Sequence, residues 1–336
     1  MMENAVWIYA ENEEAVISDV SLELLGKGRE LADRLDAELV AFMIGDGIAG
    51  LADELIAHGA DKVYVAEHPK LKYYLTLPYS RIALELIKEH EPGILLIGAT
   101  NKGRDLAPRI ASHMKTGLTA DCTDLQIGDY KFGKKIWKDV LLQIRPAFGG
   151  NVIATIATPQ TRPQMATVRE GVIRRPDPDQ SRKGEIVLLK PEVTEEDLIL
   201  DIVERVRAEK KVNLKSARII VAGGMGVGSR ENFKIIHELA RTLGGQVGAS
   251  RAAIDAGFIG REYQIGQTGV TVRPNLYVAC GISGAIQHRA GMQESQRIIA
   301  INTDPDAPIF SVAHYGIVGD LHEAIPKMIK AYKEKD

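Results

Sequence analysis

Short apolar runs alternate along this chain with longer amphipathic ones, and that alternation limits its folds more than any other feature. Residues 5–9, 38–44, 62–66 and 93–97 are compact and apolar, while 22–35, 51–58, 79–88 and 105–112 carry apolar residues at helical spacing. Strands that alternate with helices in this way predict a parallel sheet covered on both faces. Residues 93–97 have no polar side and read as a strand buried on both faces. After Asp121 the order changes. Strand-like stretches at 124–128, 136–145, 152–157 and 185–190 follow without strong helices between them, so antiparallel additions to the first domain are expected. Residues 174–184 are polar, proline-bearing and aperiodic, and read as an exposed loop.

A second α/β pattern then begins. Strands are expected at 219–222, 246–249, 276–280 and 298–302, with helix at 231–243, 253–256 and 287–291. The fold class expected is α/β in two domains: an N-terminal parallel-sheet domain over 1–195 and a C-terminal doubly wound domain over 216–336. A polar connector over 196–215, ending in the basic run 208–215, joins them. At 336 residues with 45% hydrophobic content, the chain can bury a core in each.

Composition narrows function mostly by exclusion. A formal net charge of −3 gives no basic footprint for nucleic acid or an anionic membrane surface. Cys122 and Cys280 are the only cysteines and lie far apart, so this chain alone builds neither an iron–sulfur cluster nor a zinc–thiolate site. The amino terminus has early acids and no basic segment leading into an apolar stretch, which makes a cytoplasmic setting the expectation. Apolar runs such as 93–98 fall far short of the ~18 residues that a membrane span needs, so no insertion into a bilayer is expected.

The chemistry concentrates in residues 246–288. Gly248, Gly257, Gly260, Gly266, Gly269, Gly281 and Gly284 stand where strands meet helices, where they let backbone N–H groups approach a phosphate closely. A helix opening at Ser283-Gly284 would direct its positive end at a pyrophosphate. An anionic cofactor follows, and Ser250-Arg251, Gln267-Thr268 and His288 offer donors to a second, polar aromatic group such as a flavin ring. The run Gly223-Gly224-Met225-Gly226-Val227-Gly228-Ser229 invites a nicotinamide-dinucleotide reading, but Ser229 stands where a third glycine belongs. The region about 20 residues on, Gly244-Gly245-Gln246, also lacks the acid that would take a ribose. No other histidine lies three or four residues from His288, so no metal site is expected there.

Five runs carry a resemblance: Ser229-Arg230-Glu231-Asn232-Phe233, Ser250-Arg251-Ala252-Ala253, Gly266-Gln267-Thr268-Gly269, Gly281-Ile282-Ser283-Gly284-Ala285-Ile286-Gln287-His288 and Ala300-Ile301-Asn302-Thr303-Asp304-Pro305. With Gly223-Gly224 ahead of them and Asp320 behind, they resemble the alpha subunit of electron transfer flavoprotein in order and spacing over roughly the last 120 residues. The front half resembles it through Gly103-Arg104-Asp105-Leu106-Ala107-Pro108-Arg109, Thr119-Ala120-Asp121-Cys122 and Arg145-Pro146-Ala147-Phe148-Gly149-Gly150.

The resemblance implies a C-terminal FAD-binding domain, with the flavin rather than a catalytic side chain performing the chemistry. It implies Arg251, Thr268 and His288 at the ring, with Gln264, Ile265, Gly266 and Gln267 lining the same pocket. Ser250, Ser283, Gly284, Ala285, Ile286 and Gln287 would meet the pyrophosphate, and Asn302, Asp320 and Leu321 the AMP end. A unit charge such as that of Arg251 at ~4 Å, with an effective dielectric near 20, contributes at most about 4 kcal/mol, or some 170 mV. Many members of that family carry Arg in a Gly-Gly-Arg-Gly turn where this chain has Met225, which can touch the cofactor only by apolar or sulfur packing.

The function implied is an electron carrier, paired with a beta subunit, between a dehydrogenase donor and a quinone- or ferredoxin-linked acceptor, its flavin domain swivelling on the connector. The alternative is a subunit of an NADH-dependent, electron-bifurcating oxidoreductase complex. In the front domain, Lys102-Gly103-Arg104-Asp105 resembles a phosphate-binding turn, although fixing a loop or an interface suits Arg104, Asp105, Arg145 and Gly149-Gly150 as well. A nucleotide-sensing module is the non-redox rival.

Overall fold

The computed structural model describes residues 5–147, 152–200, 202, 214 and 217–334. The expected Gly149-Gly150 turn and most of the 196–215 connector lie outside them. The chain divides into two compact units, residues 1–205 and 206–336.

The front unit runs β1 (Val6–Tyr9), a small ribbon of β2 (Asn12–Glu13) and β3 (Val16–Ile17), α1 (Asp19–Leu35), β4 (Leu39–Gly45), α2 (Ala52–Ala57), β5 (Lys62–Glu67), α3 (Thr76–His90), β6 (Ile94–Gly98), α4 (Asn101–Met114) and β7 (Leu118–Cys122). There follow β8 (Asp124–Phe132), β9 (Lys135–Ala147), β10 (Val152–Ile156), β11 (Gln164–Val168) and β12 (Glu185–Leu189). Seven strands form one parallel sheet in the order β12-β5-β4-β1-β6-β11-β7. Its central strands show why the sequence reads as continuous apolar runs. Val6 and Ile8 of β1 enter one core, with Leu39, Ala41 and Met43 of β4, and Trp7 and Tyr9 enter the core on the other face with Val40, Phe42 and Ile44. Successive side chains point to opposite faces, so a strand covered on both has no polar position.

The antiparallel addition is a three-stranded sheet, β10-β9-β8. Residues 185–190 do not belong to it. They form β12, an edge strand of the parallel sheet in register with β5 from Glu185↔Lys62 to Leu189↔Ala66. Their alternating, largely exposed pattern is that of a strand with only one neighbour. In the parallel sheet, β7 and β11 both escape the sequence pattern. β11 is fully buried between β6 and β7 yet contains Gln164 and Thr167, whose side-chain oxygens accept from the backbone N–H of Leu141 and of Asp121. Those polar residues hid it by breaking the apolar run.

The rear unit runs β13 (Ile219–Gly223), α5 (Lys234–Thr242), β14 (Gln246–Ala249), α6 (Arg251–Asp255), β15 (Leu276–Cys280), α7 (Ile286–Arg289), β16 (Ile298–Asn302), β17 (Tyr315–Val318) and α8 (Leu321–Lys333). Its parallel sheet has the order β14-β13-β15-β16-β17, which places a topological switch point between β13 and β15. Val221 and Val278 face the core under α5 and α8, and Ile220, Ala222, Tyr277 and Ala279 face the opposite one. Neither β17 nor α8 is marked in the sequence pattern. All four residues of β17 are exposed, and Pro326 sits inside α8, where a proline reads as a stop.

Candidate functional site

The carboxyl ends of the rear strands gather nearly every residue singled out in that half of the sequence. Met225 follows β13, Ser250 and Arg251 follow β14, Ser283 to Gln287 follow β15, Asn302 ends β16, and Asp320 and Leu321 follow β17. In an open parallel sheet this edge is where ligands bind, at the switch point above all. The loop from Gln264 to Thr268 joins the same edge: Gln264 bridges to Ala249, and the Gln267 N–H donates to the Gln287 carbonyl at 2.7 Å.

Glycine at two of these positions follows from the packing. A methyl on Gly224 would overlap the Gly281 carbonyl, so the loops after β13 and β15 touch backbone to backbone. Gly284 has φ +84°, and a methyl there would run into the backbone of Ile309. The tight bend has a chemical result. Among the described residues, the N–H groups of Ser283, Gly284 and Ala285 donate to no acceptor of the protein, whereas Ile309 N–H donates back to the Ser283 carbonyl at 3.0 Å. Gly284 is buried, and a buried N–H needs a partner. Three successive open amides at a switch point suit a pyrophosphate, so the residues present fit an anionic dinucleotide.

The helix expected at Ser283-Gly284 starts later. Ala285 is its N-cap and α7 is a single turn, Ile286–Arg289, too short to carry much of a macrodipole. The individual amides, rather than a helix end, supply the positive potential.

Arg251 is exposed at 67% of its side chain and pairs with Asp255 one turn along α6, Nε to Oδ2 at 3.4 Å. Ser250 is buried and caps that helix, its hydroxyl accepting the Ala253 N–H. Thr268 is exposed, and its hydroxyl accepts from Nε2 of buried Gln264 at 3.0 Å, which leaves the hydroxyl proton available to an acceptor outside the chain. Met225 is half exposed. Asn302 donates to the Ile282 carbonyl and accepts from Asp304 N–H, fixing the turn after β16. Asp320 caps α8 by accepting the His322 N–H at 2.8 Å, while Leu321 is buried beneath it.

His288 is bonded within the fold at both ring nitrogens. Its ring is 7% exposed; Nε2 bonds the Tyr277 hydroxyl at 3.0 Å, and Nδ1 the Ile265 carbonyl at 3.1 Å. Both nitrogens are therefore engaged within the fold. Burial holds the imidazole neutral by lowering its pKa to about 4, against an opposing contribution from the Ile265 carbonyl. The ring ties the 264–268 loop to the centre of the sheet. Tyr277 is the partner that sequence reasoning missed. It sits in the apolar strand Leu276–Cys280, where a tyrosine is the one side chain that must find a bond for its hydroxyl.

The corresponding edge of the front sheet is tied to itself. Lys102 Nζ donates to the Asn12 carbonyl, Arg104 Nε to the Ala99 carbonyl, and Asp105 accepts from Tyr74 and Thr76 at 2.7 and 2.6 Å. The supposed phosphate turn is thus braced by its neighbours. No group of three or more His, Cys, Asp and Glu among the described residues could hold a metal, and no helix among them is long and apolar enough to cross a membrane.

Comparison with known proteins identifies the family. Residues 6–194 match the family model of the electron transfer flavoprotein domain, and residues 213–293 that of the electron transfer flavoprotein FAD-binding domain. The chain is 50% identical to the electron transfer flavoprotein subunit alpha of Thermoanaerobacterium thermosaccharolyticum, over 98% of each chain. It is 43% identical to the acryloyl-CoA reductase electron transfer subunit beta of Anaerotignum propionicum, over 98% of this chain and 95% of that one. It is 42% identical to the lactate dehydrogenase (NAD(+),ferredoxin) subunit LctC of Acetobacterium woodii, over 96% of this chain and 76% of that one.

Proposed function

Because this chain belongs to the electron transfer flavoprotein alpha-subunit family, we propose that its rear unit holds FAD along the carboxyl edge of the β14-β13-β15-β16-β17 sheet. The observation that carries the proposal is the run of open amides at Ser283, Gly284 and Ala285 beside the switch point. Those amides, continued by Ile286 and Gln287, hold the pyrophosphate. Asn302 and Asp320 border the AMP half, their own turns already fixed, with Leu321 as the apolar floor.

At the ring end, Arg251 supplies positive charge and the Thr268 hydroxyl a hydrogen bond, aimed by Gln264. His288 serves from behind: it fixes the Ile265 carbonyl and so the shape of the loop containing Gly266 and Gln267. Met225 contributes an uncharged, polarisable surface, which leaves Arg251 as the principal cation on this edge. Bound there, FAD supplies reversible uptake of electrons, while the protein orients it and sets how readily it accepts charge.

In this reading the domains are 1–195, a connector over 196–215, and 216–336. The chain works in the cytoplasm with a beta subunit, between a dehydrogenase donor and a quinone- or ferredoxin-linked acceptor. A second reading, membership of an NADH-dependent bifurcating complex, is favoured by the relative named for NAD(+) and ferredoxin. The test is the visible spectrum of the chain co-purified with its companion subunit. Retained flavin absorbance supports the first reading, and its loss to NADH alone, without a separate dehydrogenase, supports the second. A colourless complex after reconstitution with FAD removes both.

A further inference from the structure

Three guanidinium groups converge at the carboxyl edge of the front sheet. Arg169 donates to both oxygens of Asp121, at 3.3 and 2.6 Å, and Arg104 donates to one of them at 3.2 Å. Arg145, near the end of β9, is the third. Its neighbour Ile144 is registered against Asp124 and accepts the Thr123 N–H, so Arg145 lies one residue past the β8 pairing, on the Asp121 side, while its backbone pairs with Ala154 of β10. Its charge reaches Asp121, where it adds to the lowering of the carboxyl pKa, and Cys122, whose thiol burial pushes up against the opposing pull of Arg145.

Asp121 is accordingly held ionised below the ordinary carboxylate range, burial working against the Arg169 bond and the three positive charges. Glu170, beside Arg169 in sequence, has interactions of its own. Counting it with Asp121, the cluster still holds more cations than anions.

The donor inventory is more lopsided than the charge. A guanidinium has five N–H groups and no acceptor. Arg104 uses its donors on the Ala99 carbonyl and Asp121, and Arg169 on Asp121. Among the described residues, no side-chain hydrogen bond or ion pair holds the guanidinium of the half-buried Arg145, whose backbone pairs with β10. Arg104 is 60% exposed, so the cluster opens at the surface and is not sealed in the core. Such an arrangement is incomplete as an internal network and suited to a planar oxyanion arriving from outside.

We propose that Arg145, flanked by Arg104 and Arg169, is a docking site for a carboxylate side chain of the companion subunit. This rests on the reading above that the chain works with such a subunit. Asp121 keeps the flanking guanidinium groups in place, and the incoming carboxylate completes the alternation of charge. A carboxylate is favoured over a small free ligand because the three cations border an open edge.

The experiment uses the full chain with its companion subunit and FAD, comparing wild type with Arg145→Gln and Arg145→Lys, and with Lys327→Gln on α8 as an unrelated surface control. Dissociation of the heterodimer is followed with a fluorescently labelled companion from low to high salt, and thermal melts verify that each variant is folded. Arg145→Gln is expected to weaken association about tenfold and to flatten its salt dependence, with partial recovery in Arg145→Lys and no change in the control. Unchanged affinity and salt slope in Arg145→Gln overturn the proposal. So does Arg145-dependent binding of inorganic phosphate with subunit affinity unaltered, which gives the cluster to a small anion. Flavin content is read in the same samples. A colourless heterodimer that still depends on Arg145 removes the flavin reading and leaves this one standing; a yellow heterodimer indifferent to Arg145 does the reverse.

Discussion

The two parallel sheets end in different ways at the same edge. In the front unit the loops beyond the strands are cross-braced by side chains: Thr100 donates to Glu11, Glu67 accepts the N–H groups of Ile48 and Ala49, and Asp121 gathers Arg104 and Arg169. In the rear unit the loops meet backbone to backbone at glycines, and amides are left open. Charged side chains can lock an edge but fill it; glycines bring the chain close without filling it. The same topology therefore yields a shape-holding edge in one unit and a ligand-holding edge in the other.

The sharpest way to break the contrast is to put a side chain where the rear edge requires none. Gly284→Val meets both a positive φ and the Ile309 backbone, and is expected to cost on the order of 4 kcal/mol in urea unfolding of the rear unit, with loss of flavin. A folded Gly284→Val protein that keeps its flavin would refute the backbone-cradle account.

Next in size is a pH effect confined to the rear unit. The His288 pKa is about 4 in the folded chain and ordinarily near 6.5, so the unfolded chain binds the extra proton first. Its contribution is present above about pH 6.5 and is lost as pH falls toward 4, by at most roughly 3 kcal/mol. Urea titrations of the rear transition across that window should show the slope, and His288→Gln should flatten it.

On the front side, Asp121→Ala leaves Arg169, with only 16% of its side chain exposed, without its carboxylate. A loss of about 2 kcal/mol in the front transition is expected, with flavin content unchanged. A matching loss of flavin would show that the two edges are not independent.

The smallest effects on stability fall at the exposed ring-facing residues. Arg251→Gln and Thr268→Ala should each alter stability by less than about 0.5 kcal/mol. Both should still move the flavin potential in a redox titration, Arg251→Gln making reduction harder by on the order of tens of millivolts once solvent screening is allowed for. Potentials that stay fixed in both variants would remove these residues from the ring.

Much of this was legible in the sequence because burial on both faces writes a strand as an uninterrupted apolar run, as in Ile94–Gly98 and Leu276–Cys280. The rear edge was legible for a different reason: glycine and small polar residues follow each strand at the same depth. What stayed hidden was set by tertiary bonding. Gln164 and Thr167 look like loop residues until Leu141 and Asp121 are seen donating to them, and Pro326 looks like a helix stop although α8 runs through it. Nothing local to His288 announces its bonds to Tyr277 and Ile265 either.

The order of the front sheet also bears on synthesis. β7 is complete at Cys122, but among the described residues its one neighbour in that sheet is β11, which ends at Val168. At typical translation rates the ribosome needs roughly two to ten seconds to cover that interval. Until then β6 presents an unpaired apolar edge and β7 has nowhere to dock. A nascent chain halted before Gln164 is therefore a natural client for chaperones, and the three-stranded antiparallel sheet between the two strands emerges while its host sheet is still open.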